Sequence, residues 1–267
     1  MASFIINGPT RIEGNFVPAG NKNAALPMLA AALLTDEPVK LSNVPAIDDV
    51  NVMLDILDFL GVTIRRDGNT VTLDACGLNR TDPPIDLCDK IRGSIVLAGP
   101  LAVRHGRASV YNPGGDSIGR RRLDTHFEGL QALGIEVAAG NAGSIYKLTS
   151  RRPRSANLVL DEASVTATEN VIMAATLIRG QSTIYNAACE PHVQCLCRLL
   201  NKMGARIGGI GTNCVTIKGV DSLHGAEHRI APDYVEAGSF IAAAAATGGE
   251  LTMPMDEDPE TLKIIER

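Results

Sequence analysis

The sequence predicts an α/β fold assembled from repeats of a strand–helix–strand–helix–strand–strand unit, three complete and one partial. First, three segments end an amphipathic helix on the same Gly signature and turn into a strand: Leu54–Ile64, Phe127–Val137 and Leu196–Ile207. Their glycines, Gly61, Gly134 and Gly204, recur at about 70 residues, a period that marks a repeated supersecondary unit. Second, each of these segments is preceded by an Ala/Leu/Met-rich helix and a short β-branched strand. Third, the same opening pair starts once more near the end of the chain.

The elements follow in order. Ala24–Leu34 is an apolar helix leading to the strand Val39–Pro45, and Ser94–Arg104 leads to Ala108–Pro113. Thr168–Ile178 leads to Ser182–Asn186. An Asn closes each strand (Asn43, Asn112, Asn186) and predicts one shared turn. The first helices are apolar all round and should be buried, whereas the second carry a charged face and should lie half in water. Each glycine then supplies the positive φ of a helix C-cap before the closing strands. Gly208–Gly211 lies between two strands, which predicts a hairpin turn and not a phosphate cradle. Val235–Thr247 and Glu250–Met253 restart the pattern, and Asp258–Arg267 reads as the opening of another helix, with Asp258 as cap and Pro259 at its first position. The repeat stops there, so the sequence reads as an incomplete chain with little activity of its own.

Composition narrows the function. Across 267 residues, 45% are hydrophobic and 21% charged, with a formal net charge of −5. That balance offers no basic field for nucleic acid, so any bound anion must be met by a local cluster of cations. The longest apolar runs are far shorter than the roughly 20 residues a membrane helix needs, and the opening residues lack the basic-then-apolar pattern expected of a signal peptide. Six scattered cysteines lack metal-ligand spacing and read as reduced, mostly packed thiols of a cytoplasmic protein. No metal or cofactor is expected.

Five ordered segments carry a resemblance. They are Gly20–Pro27, Arg92–Ser94, Pro113–Gly119 with Arg121–His126, Ser164–Thr168, and Pro232–Gly238. Together they resemble the bacterial UDP-N-acetylglucosamine enolpyruvyl transferases. The resemblance implies an inside-out α/β barrel, with helices inside, sheets outside and the active site between two domains. Residues 21–231 would form one domain, and residues 1–20 with 232–267 an incomplete part of the other. The substrates it implies are phosphoenolpyruvate and UDP-N-acetylglucosamine, two anions that need several cations close together.

The same resemblance assigns roles. Lys22 would contact phosphoenolpyruvate and Asn23 the nucleotide sugar, with Arg92 and Arg121 as further cations. Arg121, Arg122, Leu123, Asp124 and Thr125, together with Glu162, Ala163, Ser164 and Val165, would line the nucleotide sugar. Asp116 stands where most family members have a cysteine that donates a proton to the enolpyruvyl methylene, and some members carry aspartate there. Ser164 and Thr166 also read as plain helix caps, and Asp49, Glu190 and Asp233 as acids that are structural first and catalytic second. Apart from the resemblance, Lys22, Arg92 and Ser164–Thr166 all sit where a buried first helix begins. Helix N-termini converging from repeated units would offer unpaired N–H groups and positive dipole ends to anions. Two rival readings share much of this pattern: a shikimate-pathway enolpyruvyl transferase, and a module that binds UDP-sugar without turning it over.

Overall fold

A computed structural model describes residues 10–115, 122–140 and 145–254, together with residues 3, 5 and 8. After a short strand β1 (Glu13–Asn15), the chain forms α1 (Lys22–Ala31), β2 (Val39–Ser42), α2 (Asp48–Leu60), β3 (Thr63–Asp67) and β4 (Thr70–Asp74). A short α3 (Ile85–Cys88) leads through a 3-10 turn at Arg92–Leu97 into α4 (Ala98–His105). Next come β5 (Arg107–Tyr111), α5 (Asp124–Ala132), β6 (Glu136–Ala139) and β7 (Ile145–Thr149). They are followed by β8 (Asn157–Val159), α6 (Val165–Thr176), β9 (Gln181–Tyr185), α7 (Pro191–Lys202), β10 (Arg206–Gly208) and β11 (Cys214–Lys218). The described chain closes with β12 (Glu227–Arg229), α8 (Tyr234–Thr247) and β13 (Glu250–Thr252).

Burial separates two kinds of helix, as their composition requires. Every residue of α1 from Ala24 to Ala31 is buried, and so is every residue of α6 from Ala167 to Thr176. These two helices and the 3-10 turn meet one another at the centre. By contrast α2 buries Val50, Met53, Leu54, Ile56, Leu57 and Leu60, a 3.6-residue stripe, and turns Asp55 and Asp58 outward. Gly61, Gly134 and Gly204 adopt φ of 103°, 79° and 100°, a left-handed turn that costs glycine little. Asn43 and Asn186 are the two non-glycine residues at positive φ among those described, and each uses its side-chain amide to bond a neighbouring carbonyl. Asn112 departs from the shared turn, because it precedes Pro113 and a residue before proline is held in extended backbone.

Outside the helices lie three small sheets, each a hairpin joined to the strand that follows a central helix. Their orders are β12–β2–β4–β3, β5–β7–β6 and β10–β11–β9–β8. The outermost members of the first and third pair parallel to their neighbours, Glu227 opposite Lys40 and Asn157 opposite Thr183. The first sheet is therefore completed by a strand from far along the chain, which ties its last segment to its first. Among the described residues these sheets do not join, so no closed barrel forms. Each packs against its own helices, and strands of three to five residues with the central helices between them leave the sheet edges apart.

The second central helix also differs from expectation. Ser94–Arg104 does not run as one α-helix, because Pro100 lacks an N–H and the Gly99 N–H is taken by the Asn170 side chain at 2.8 Å. The chain enters as 3-10 and becomes α-helical only from Ala98. At the other end, β13 pairs parallel with β1, and Phe16 stacks on Phe240 with ring centroids 3.8 Å apart. Two chain segments run side by side here: Asn21 N–H donates to the Ala231 carbonyl and Asp233 N–H to the Ala19 carbonyl. Helix α8 buries only Ala237 and Ala244, unlike α1 and α6. Gly209 and Gly211 lie in the β10–β11 hairpin at φ of 73° and 82°, as the strand pattern requires. The helix expected at Asp258–Arg267 lies outside the described residues.

Candidate active site

The starts of the three central helices open onto one cleft of about 670 Å³. Helix α1 begins with Lys22, and its Asn21 cap accepts the Ala24 N–H at 2.9 Å. Helix α6 is capped by Ser164, whose hydroxyl accepts the Ala167 N–H at 3.4 Å. Between them the 3-10 turn begins at Arg92 and packs close to α1: a β-carbon on Gly93 would lie 2.7 Å from Leu26. First-turn N–H groups without helical partners thus gather at one wall of the cleft.

Of the residues expected from sequence, Lys22, Asn23, Arg92, Arg122, Glu162, Ser164 and Val165 line this cleft together. Leu123, Asp124, Thr125 and Ala163 are not among its described lining. Leu123 is buried, Asp124 accepts from Arg122 Nε at 2.6 Å, Ala163 is exposed, and the buried Thr125 hydroxyl donates to Asp161 at 2.5 Å. Asp116, Arg120 and Arg121 lie outside the described residues. The loop leading to them is seated at the cleft: Gly114 N–H donates to the Cys88 carbonyl, and Gly115 is a lining residue. A β-carbon on Gly114 would collide with the Asp89 carbonyl oxygen at 1.7 Å, so the Pro113-Gly114-Gly115 sequence permits this close approach.

Charge in the cleft is mixed. Lys22 Nζ pairs with Asp49 at 2.9 Å, and Arg92 donates to the Arg122 carbonyl at 3.3 Å, joining two cationic positions. Lys90 adds a further cation to the lining. Deeper in the wall Glu169 is 1% exposed, and its Oε1 has no partner among the described residues. Burial, with Glu190 nearby, holds its pKa well above the ordinary 4.5. Glu190 heads α7 without capping it, and its buried Oε2 has no partner among the described residues. His192 lines the cleft too, and burial lowers its pKa; its Nδ1 lies 3.3 Å from the Tyr234 hydroxyl of α8. Asp233 caps α8 by accepting the Val235 and Glu236 N–H groups, which is the structural role expected of it.

Sequence reasoning missed His126, Glu169 and His192 as lining residues. His126 was visible only as part of a motif. Glu169 carried a clearer signal, a Glu-Asn pair inside an otherwise apolar helix, where burial of a charge needs a reason. The thiols follow expectation in part: burial pushes Cys197 up to about 12 and Cys88 up to about 11, while Cys76 and Cys189 are exposed. Among the described residues no cluster could hold a metal ion, and no helix is long and apolar enough to cross a membrane.

Small sheets packed around buried helices whose first turns share one cleft define a class. The sequence profile of EPSP synthase (3-phosphoshikimate 1-carboxyvinyltransferase) matches residues 6–262, and the chain belongs to that family. Its similarity then narrows. The chain is 46% identical to the UDP-N-acetylglucosamine 1-carboxyvinyltransferase of Bacteroides thetaiotaomicron, over 95% of this chain and 59% of the relative. It is 49% identical to the enzyme of that name from Borreliella burgdorferi, over 99% of this chain and 61% of the relative. The chain therefore spans about three-fifths of the length of these curated relatives. Among solved structures, the enolpyruvyl transferase NikO from Streptomyces tendae superposes with a TM-score of 0.78 at 25% identity, covering 88% of this chain and 56% of that one. EPSP synthase from Acinetobacter baumannii superposes at 0.77 and 17% identity, over 98% and 60%, and supports the fold alone.

Proposed function

We propose that the chain supplies the nucleotide-sugar side of an enolpyruvyl transferase that joins phosphoenolpyruvate to the 3'-hydroxyl of UDP-N-acetylglucosamine and releases phosphate. That would be the first committed step of peptidoglycan precursor synthesis, in the cytoplasm. The observation that carries this reading is the single cleft at which Lys22, Arg92 and Arg122 meet the first turns of α1 and α6. Both substrates are polyanions, and positioned cations with helix N-termini suit phosphate and carboxylate oxygens. In this reading Lys22 holds phosphoenolpyruvate as a point charge, and Asn23, Arg122 and the 162–165 segment hold the nucleotide sugar. Asp116 delivers a proton to the methylene carbon as the sugar hydroxyl gives its own proton to a base of the whole protein and bonds to the adjacent carbon; the methyl group then returns a proton as phosphate leaves.

Residues 21–231 would act as one domain in an inside-out arrangement, with 1–20 and 232–267 as an incomplete part of a second. The paired segments at Ala19–Asn21 and Ala231–Asp233 support that boundary. The relatives' names favour UDP-N-acetylglucosamine over a shikimate-type acceptor. Phosphate release from phosphoenolpyruvate, measured with each acceptor in the whole protein that carries this chain, separates the readings. Release with UDP-N-acetylglucosamine alone is expected. Release with shikimate 3-phosphate alone would replace the acceptor assignment, and binding of UDP-N-acetylglucosamine without release would leave a binding module.

A further inference from the structure

Asn170 is fully buried on α6, one residue beyond Glu169, and its bonds leave no choice of orientation. Its Oδ1 accepts the Gly99 N–H at 2.8 Å, and its Nδ2 donates to the Ile95 carbonyl at 2.8 Å. A backbone N–H can only donate and a carbonyl can only accept, so the amide cannot be flipped. The second Nδ2 hydrogen faces His126 Nδ1 at 3.1 Å, which must therefore be an acceptor. A neutral imidazole that accepts at Nδ1 carries its hydrogen on Nε2. Nε2 lies 3.0 Å from Thr166 Oγ1 and donates to it. With that oxygen receiving a hydrogen, the threonine's own O–H must point elsewhere, and Thr166 lines the cleft.

We propose that Asn170 and His126 are positioning residues that hold Thr166 as a hydroxyl donor into the cleft, where it binds an acceptor oxygen of the nucleotide sugar. The proposal rests on the reading of the cleft given above. A purely structural node would end on a buried group, whereas this chain of bonds ends on a part-exposed hydroxyl in the wall. Thr166 and Asn170 are four residues apart on one face of α6, so both ends of the relay are fixed by the same rigid helix. Burial, with Arg92 nearby, lowers the His126 pKa to about 3, which keeps the ring neutral and the donor direction constant. Gly99 completes the device, since a β-carbon there would stand 2.5 Å from the Asn170 carbonyl oxygen.

Two measurements on the 267-residue chain test it. In nitrogen-15 spectra, His126 should show hydrogen on Nε2 and a bare Nδ1 throughout roughly pH 5 to 8. Hydrogen on Nδ1 or a charged ring overturns the proposal. By calorimetry, Thr166→Val should weaken UDP-N-acetylglucosamine about tenfold or more, and Thr166→Ser should stay within about twofold of the parent. An equal loss toward UDP supports an acceptor in the diphosphate or uracil part, and a loss confined to the full ligand supports one on the sugar. If the parent binds and Thr166→Val binds equally well, the positioning proposal fails while the reading of the cleft stands. If the parent binds neither UDP nor UDP-N-acetylglucosamine, both fail together.

Discussion

Lys22 and Asp49 form an ion pair that is about half in water, with side chains 46% and 34% exposed. Such a pair contributes about 0–1 kcal/mol to stability, so lysine at this position is better explained by what enters the cleft. Lys22→Met should leave the melting temperature nearly unchanged and weaken phosphoenolpyruvate binding about tenfold or more, by titration in the whole protein. A large stability loss with normal binding would make the pair structural. Glu169 makes a prediction of opposite character. Its folded pKa lies above the ordinary 4.5, so below that value both states carry the proton and its contribution to stability is complete. As pH rises, the unfolded chain ionises first, and stability is lost until the folded group titrates as well. Glu169→Gln should therefore raise the melting temperature by at least about 2 °C near pH 8 and by almost nothing near pH 4. An equal shift at both pH values would show that ionisation is not the cause. Asp116 is argued from sequence, by resemblance. The family resemblance implies that fosfomycin, an epoxide, alkylates the cysteine at this loop position; a carboxylate is a poor nucleophile toward an epoxide compared with a thiolate, so the whole protein should resist fosfomycin while Asp116→Cys becomes sensitive. Inactivation of the Asp116 protein with a mass increase equal to the drug would sink that argument. Lys22, Arg92 and Ser164 were legible because each sits where an apolar helix starts. The Asn170–His126–Thr166 chain was not, because it depends on two helices far apart in sequence meeting at bond distance.

At the scale of elements, periodicity told α1 and α6 from α2 and α7, since composition alone decides how much of a helix must leave water. It overlooked the 3-10 entry at Arg92–Leu97, just beyond which the Asn170 side chain accepts the Gly99 N–H that an unbroken α-helix would direct to the Ile95 carbonyl. Strand β12 was equally hidden, because three residues hold too little pattern and its partner β2 lies far back along the chain. Burial also ranks the helices by stability. Leu29 on α1 is 0% exposed, so Leu29→Ala should cost about 2–5 kcal/mol by denaturant unfolding. A cost near zero would mean that α1 is not part of the cooperative core. Helix α8 leaves Val235, Phe240 and Ile241 exposed, and its amides should exchange hydrogen well before those of Ile95–Ala102. Equal protection in the two segments would show that α8 shares the stability of the core.

In the whole molecule, the three central helices aim their first turns at one cleft. The α/β class and the order of elements were readable from a recurring Gly signature. Among the described residues no closed barrel forms, and three short sheets each pack on their own helices. Another depression, of about 180 Å³, is bordered by Lys40, Lys202 and Arg229 together with Glu227, which pairs with Lys40. The most direct test is the footprint of UDP-N-acetylglucosamine on the backbone amides of the chain, followed by heteronuclear NMR. Shifts concentrated at residues 22–24, 92–94 and 164–167 are expected. Shifts confined to the strands around Lys40 and Arg229, with the three helix starts unmoved, would contradict that expectation.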